Sequence, residues 1–343
     1  MLESDLSIAV FAPAKREKFE EYNLEDLKEI LPCVDRIPNP TNYQESSNMF
    51  ETKREEFLSL MKSNEYNVLM AWFGGQIKVE TDLSGSSLEL VRNLSDDDWK
   101  AIENSTIKVV GRSDITFLLS NLMKYGVSCY YGPNAQSLLE DKEKNEKTIE
   151  YLFRALEANE TYTIDFNDPK IACESKPWIF RGGKAEGRLI GGNLDTLAQM
   201  LKEYDKTGFS FQKGDILLIE SNDPKYFMSP DNKKSGIIDS YRTLVEFGIF
   251  DHVGGVIIGK SRKPMIQDFY SSQTPMIYFE ERPTELEREY LWNVVRNLIP
   301  RDIPILANVP CSHTSPMITL PLGRTIALDA DNARITVYPE QYI

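Results

Sequence analysis

Four short apolar runs, each stopped by glycine or proline, constrain the first half of this chain most. Residues 6–12 are cut by Pro13, and 67–73 end in Gly74-Gly75. Residues 106–110 run into Gly111-Arg112-Ser113, and 127–131 close on Gly132-Pro133. Runs of this length and composition read as buried strands. Between them the apolar residues take helical spacing, at Phe57, Leu60 and Met61, and again at Ile115, Leu118, Leu119, Leu122 and Met123. Strand, helix and strand in this rhythm predict an α/β fold, a mostly parallel, Rossmann-like sheet with flanking helices.

The segment 80–104 is rich in Ser, Asp and Leu and reads as a helical or loop insertion, and 141–160 as a charged helix. Residues 161–187, polar and broken by Pro169, Pro177 and Gly182-Gly183, read as an inter-domain link. The second half opens on Gly187-Arg188-Leu189-Ile190-Gly191-Gly192-Asn193-Leu194 and predicts strands at 215–219, 254–259 and 304–307. The runs 325–328 and 334–338, joined by Asp329-Ala330-Asp331-Asn332-Ala333, predict a hairpin. The expected organisation is an amino-terminal α/β domain over 1–165, a linker loop over 166–186, and a strand-rich α/β carboxy-terminal domain over 187–343.

Composition removes several classes of function. Acidic side chains outnumber basic ones by 53 to 39, a net charge of −14, which disfavours a nucleic-acid polymer as partner. No run approaches the ~20 apolar residues that span a bilayer, so no membrane partner is expected, and residues 1–16 do not read as a signal peptide. Cys33, Cys129, Cys173 and Cys311 lie far apart with no CxxC pair. They read as reduced thiols of a cytoplasmic protein, and no metal site is expected. Neither G-x-G-x-x-G nor a Walker A pattern is present, so a phosphate-cradling NTP or dinucleotide site is unsupported.

Chemistry concentrates at Val109-Val110-Gly111-Arg112-Ser113-Asp114-Ile115-Thr116. A buried strand turns sharply into a helix with a serine at the corner, the geometry of a nucleophile elbow. There the hydroxyl is exposed beside the positive end of a helix, and the Asp114 amide faces a developing oxyanion. Ile115 stands where G-x-S-x-G has its second glycine. The alternative is that Ser113 or Asp114 caps the helix. Of two histidines, His252 beside an apolar strand reads as a packing or surface residue. His313, in the polar loop 311–316 after a strand, is the better base, or else a structural histidine. Glu220 ends the run 214–219 and can orient an imidazole, or be an exposed strand-end acid. Gly74-Gly75 can supply a second oxyanion donor or form a tight turn. Cys311 lacks the helix start that Ser113 has and ranks below it as a nucleophile.

These segments, in this order, resemble the LD-carboxypeptidase serine peptidases, and within them the microcin C immunity peptidases. The matching blocks are 111–116, 187–194, 214–220, 247–260 and 304–323. The resemblance implies a Ser-Glu-His triad of Ser113 as nucleophile, Glu220 as orienting acid and His313 as general base. It also implies an oxyanion hole from the amides of Gly75 and Asp114, a nucleophile domain followed by a smaller domain carrying acid and base, a homodimer, and no metal or cofactor. The implied substrate is a small peptide or an aminoacyl-nucleotide. One branch of the family hydrolyses the amide joining an aminoacyl or peptidyl group to a nucleotide-like leaving group, and the other releases the terminal D-residue of murein tetrapeptides. The blocks 311–319 and 187–193 lean toward the first. Trp178 stands where that branch stacks an aromatic on the nucleobase, or covers a domain interface. Arg112 replaces the family's usual aromatic before the serine and brings a charge to the pocket or its rim. Residues 76–79, starting with Gln76, also depart from the family pattern. A catalytically silent binding protein on the same fold is the alternative from another class.

Overall fold

The computed structural model describes residues 5–13, 25–38, 49–75, 86–140, 145–169, 171, 176–203, 210–221, 236–260, 285–299 and 302–339. The departure at 76–79, the first six residues of the 80–104 insertion and Cys173 lie outside the described residues. The chain forms two compact units. One comprises Met1–Glu157, Tyr204–Phe209 and Thr319–Gly323, and the other Ala158–Glu203, Ser210–Ile318 and Arg324–Ile343.

The first unit is built on β1 (Ile8–Phe11), β2 (Val34–Arg36), β3 (Val68–Ala71), β4 (Lys108–Gly111), β5 (Cys129–Tyr131) and β12 (Leu320–Leu322). Their order across the sheet is β12-β5-β4-β3-β1-β2, and every pairing is parallel except β12 with β5. Central strands of a helix-covered parallel sheet are buried on both faces, which is why β1 and β3 are apolar throughout and wholly buried. The helix Asn145–Glu157 buries Tyr151, Leu152, Ala155 and Leu156 along one stripe. The described part of the 80–104 insertion forms two short helices, Ser87–Asn93 and Asp96–Ala101. Ser86 caps the first, and Ser95 caps the second in a reciprocal box with Asp98.

The second unit holds an eight-stranded sheet in the order β6-β14-β13-β8-β9-β10-β11-β7. Its parallel centre is β8 (Lys184–Asn193), β9 (Ile216–Glu220), β10 (Gly255–Gly259) and β11 (Ile305–Val309). Antiparallel strands flank it: β7 (Trp178–Arg181) beside β11, and β13 (Thr325–Asp329), β14 (Arg334–Val337) and β6 (Tyr162–Asp165) beside β8. The predicted hairpin is β13–β14. It alternates as a one-sided sheet does, burying Ile326, Leu328, Ile335 and Val337. The stretch 166–186, expected as a linker, carries β7 and the first residues of β8. No helix among the described residues is long and apolar enough to cross a membrane.

Candidate active site

Ser113 sits at the corner between β4 and a single 3-10 turn, Ser113–Ile115, that leads directly into the helix Thr116–Lys124. Its φ is +66°, a left-handed conformation that a residue with a Cβ adopts only when its surroundings impose it, at a cost of ~1–2 kcal/mol. Three hydrogen bonds impose it here. The Ser113 amide donates to the Tyr131 hydroxyl of β5 at 2.8 Å, the Arg112 amide to Asn134 Oδ1 at 3.0 Å, and the Thr116 hydroxyl to the Ser113 carbonyl at 2.7 Å. No side chain caps the turn or the helix after it, so the cap alternative for Ser113 and Asp114 does not hold. Gly74 lies against the corner. A Cβ there would stand 2.8 Å from the Arg112 carbonyl oxygen and from Ser113 Cβ, and 3.3 Å from Ser113 Oγ.

The Asp114 side chain turns away from the corner into the protein, 5 % exposed. Its Oδ1 accepts from Ser86 Oγ at 2.8 Å and its Oδ2 from the Ser87 amide at 2.5 Å, while its carbonyl accepts from Ser87 Oγ at 2.6 Å. Burial pushes this carboxyl up to about 6, and the bonds from Ser87 and Ser86 pull the other way. Ser86 also forms an antiparallel bridge with Gly75. Ser113, Arg112, Asp114 and Gly75 are thereby gathered on one unit.

Glu220 and His313 meet on the other. Glu220, the last residue of β9, is fully buried, which removes the exposed strand-end alternative. Its Oε2 lies 2.9 Å from His313 Nδ1 and accepts from Ser312 Oγ at 2.7 Å, and its Oε1 accepts from Asn193 Nδ2 at 3.0 Å. A carboxylate is acceptor-only, so this geometry calls for the imidazole tautomer with the proton on Nδ1 and a free lone pair on Nε2. Asn193 ends β8, and its Oδ1 caps the helix Leu194–Lys202 through the Thr196 amide at 3.1 Å. One side chain therefore aligns that helix and Glu220 together. Gly259 of β10 makes room for the pair: a Cβ there would stand 2.9 Å from Glu220 Cβ and 3.0 Å from Ser312 Cβ. Nearby, burial and the Glu220 charge raise the Asp195 carboxyl, opposed by the Ser240 hydroxyl that donates to it at 2.7 Å.

Trp178 opens β7, opposite Ala307 of β11, and stacks on Phe180 with centroids 5.8 Å apart. Phe180 in turn meets Trp292 at 5.3 Å. The Arg112 side chain is buried, at 7 % exposure. His252 is exposed, with Nδ1 2.9 Å from the Gly248 carbonyl and its ring edge-on to Phe211, a surface residue as expected. Cys311 is buried. Among the described residues no group of three or more His, Cys, Asp or Glu side chains is placed to hold a metal ion. Sequence reasoning assigned no role to Asn193, Ser312, Tyr131 or Ser86-Ser87. Asn193 and Ser312 stood inside quoted blocks, but no local signal joined either of them to Glu220, 27 and 92 residues away.

Residues 186–328, which contain Glu220 and His313, match the family model of the LD-carboxypeptidase C-terminal domain. This match and the whole-chain likenesses that follow support an LD-carboxypeptidase, MccF-like family for the chain, as its motifs suggest. Over its whole length the chain is similar to MccF. It is 29% identical to the Microcin C7 self-immunity protein MccF of Escherichia coli over 330 residues, 90% of this chain and 83% of that protein. It is 27% identical to the putative carboxypeptidase YocD of Bacillus subtilis over 301 residues, 83% of this chain and 82% of that one. A solved structure of MccF in complex with aspartyl sulfamoyl adenosine matches with a TM-score of 0.72 at 25% identity, covering 100% of this chain and 98% of the other. These likenesses support a peptidase.

Proposed function

We propose that this chain is a serine peptidase that hydrolyses the amide bond of a peptidyl- or aminoacyl-nucleotide, as in self-immunity to microcin C. The buried Glu220–His313 pair, with Nδ1 on the carboxylate at 2.9 Å, carries the reading. A fully buried acid that accepts from Ser312, Asn193 and His313 has no structural need of a histidine, whereas an imidazole so held is preorganised as a base. His313 Nε2 takes the proton of Ser113 Oγ as that oxygen attacks the carbonyl, and the Glu220 charge stabilises the imidazolium. The amides of Gly75 and Asp114 hold the oxyanion, His313 returns the proton to the leaving amine, and water then cleaves the acyl-enzyme with the same histidine as base. The route requires the Ser113 hydroxyl to come within ~2.6–3.2 Å of His313 Nε2, so the two units act as one enzyme.

The likeness to MccF, which is solved with aspartyl sulfamoyl adenosine, favours the nucleotide-bearing substrate. Trp178 would stack on its base, worth ~1–3 kcal/mol, and Arg112 would bear on its anionic part. The likeness to putative carboxypeptidases favours a second reading, release of the terminal D-residue from a murein tetrapeptide. We place the enzyme in the cytoplasm as a homodimer, to be checked by fractionation and light scattering. The substrate test gives purified wild type and Ser113→Ala an aminoacyl-sulfamoyl adenosine and a murein tetrapeptide, with products read by mass spectrometry. Free amino acid and sulfamoyl adenosine from wild type alone supports the first reading, and D-alanine alone the second. Turnover unchanged in Ser113→Ala overturns the nucleophile, and ligand bound but never cut points to the silent binder. Trp178→Ala should raise KM roughly tenfold or more for the nucleotide substrate and leave the tetrapeptide unaffected.

A further inference from the structure

The Asp114 side chain has no part in that mechanism, which uses only its amide. Yet it is a buried carboxyl one residue from the nucleophile, and its two oxygens are engaged by Ser86 and Ser87. We infer that Asp114 is a positioning residue whose carboxyl fixes both oxyanion donors at once. This rests on Ser113 being the nucleophile and on the amides of Gly75 and Asp114 being the donors.

One donor, the Asp114 amide, is set by its own backbone. That backbone is gripped from two directions, with the carbonyl accepting from Ser87 Oγ and the carboxyl holding Ser86 Oγ and the Ser87 amide. The other donor, Gly75, is bridged to Ser86. Asp114 to Ser86 to Gly75 is therefore one path between the two donors, a side-chain hydrogen bond from Ser86 to Asp114 followed by the backbone bridge between Ser86 and Gly75. Ser86 is anchored further by accepting the Leu88 amide at 3.1 Å as the cap of the helix Ser87–Asn93. An oxyanion hole acts only if its donors already stand where charge will develop, so slack in this path would cost turnover more than binding.

The path needs an acceptor for the Ser87 amide and a group that can share a hydrogen bond with the Ser86 hydroxyl. A carboxylate, a carboxylic acid and an asparagine amide all supply both, because a hydroxyl donates or accepts. Alanine supplies neither. A purely structural role would make any loss follow stability, while a role through charge would make Asp114→Asn as poor as Asp114→Ala.

The test uses the full chain and a biotinylated fluorophosphonate, which needs no knowledge of the natural substrate. Ser113 Oγ attacks phosphorus, the serine proton passes to His313, fluoride leaves, and the phosphoryl oxygen occupies the oxyanion position. We expect Asp114→Ala to label ~10²–10³-fold more slowly than wild type, Asp114→Asn to stay within about tenfold, and Ser86→Ala to fall between them. With a cleavable substrate, the Asp114→Ala loss should lie in kcat, with KM changed less than about threefold. Rates are compared at a temperature where each variant is folded by circular dichroism. If Asp114→Ala does not fold, Ser86→Ala alone decides, and wild-type labelling by it overturns the inference. Equal rates for wild type and Asp114→Ala, or equal losses for Asp114→Ala and Asp114→Asn, also overturn it while leaving the nucleophile intact. A wild type that is not labelled at Ser113 overturns the nucleophile reading and this inference with it.

Discussion

Glu220→Gln changes one atom of a fully buried group and tests the acid–base pair directly. Glu220 accepts three hydrogen bonds: Ser312 Oγ at 2.7 Å and His313 Nδ1 at 2.9 Å on one oxygen, and Asn193 Nδ2 at 3.0 Å on the other. Glutamine keeps the shape but replaces one acceptor with a donor. If its NH2 faces Asn193, two donors meet, and Asn193 cannot turn over without giving up the Thr196 amide that its oxygen caps. That costs ~1–3 kcal/mol of stability, and the imidazolium loses its counter-charge. If its NH2 faces His313 instead, Nδ1 must become the acceptor, the ring proton moves to Nε2, and the base is in the wrong tautomer. Either way kcat should fall by ~10³–10⁴, equivalent to ~4–5.5 kcal/mol of barrier. Steady-state hydrolysis gives kcat, and urea unfolding of the same preparation gives the stability loss. A folded Glu220→Gln retaining more than about a tenth of wild-type kcat would refute the role given to the acid.

Gly259→Ala puts a methyl 2.9 Å from Glu220 Cβ and 3.0 Å from Ser312 Cβ, in a core that cannot yield freely. Urea unfolding should show a loss of ~1–3 kcal/mol, with kcat lowered in parallel; unchanged stability would mean that the strands part without cost. A separate prediction concerns pH. The Asp114 carboxyl is raised to about 6 in the folded protein, so folding favours its protonated form. Its stabilising effect is present at low pH and is lost as pH rises through about 6. Relative to Asp114→Asn, which cannot ionise, wild type should lose ~2–3 kcal/mol of unfolding free energy between pH 4 and pH 7. Parallel pH curves for the two proteins would show that the group is not raised.

Strands that carry their own signal were legible. β1, β3, β4 and β5 lie within apolar runs bounded by glycine or proline, because burial on both faces leaves no polar alternation to obscure them. β6 and β7 lie inside or beside a stretch that reads as a link, because they are the two outer strands of their sheet. Of their eight residues only Ile164 is buried. β12 is three residues, Leu-Pro-Leu, whose central proline argues against a strand unless it lies at an edge, as it does. At the site, the corner at Ser113 and the acid at a strand end follow from local pattern. The supports for Glu220 come from Asn193 and Ser312, brought to it by β8 and by the loop after β11, and no local pattern announces such a meeting. The sequence offers Asp114 as an amide donor or a helix cap, and only the fold shows that Ser86 and Ser87 lie against its carboxyl.

The pairing of β12 with β5 ties the sheet that carries Ser113 to the order of synthesis. A ribosome releases β1 through β5 early, then makes almost all of the second unit before Leu320 appears. At ~5–20 residues per second, Cys129–Tyr131 spends roughly 10–40 s as an open edge on the nascent chain. Because β12 follows His313, the Ser113 sheet acquires its last strand only after Glu220 and His313 have both been translated. A message truncated between His313 and Leu320 would yield every candidate catalytic residue on a protein whose first sheet still has a sticky edge.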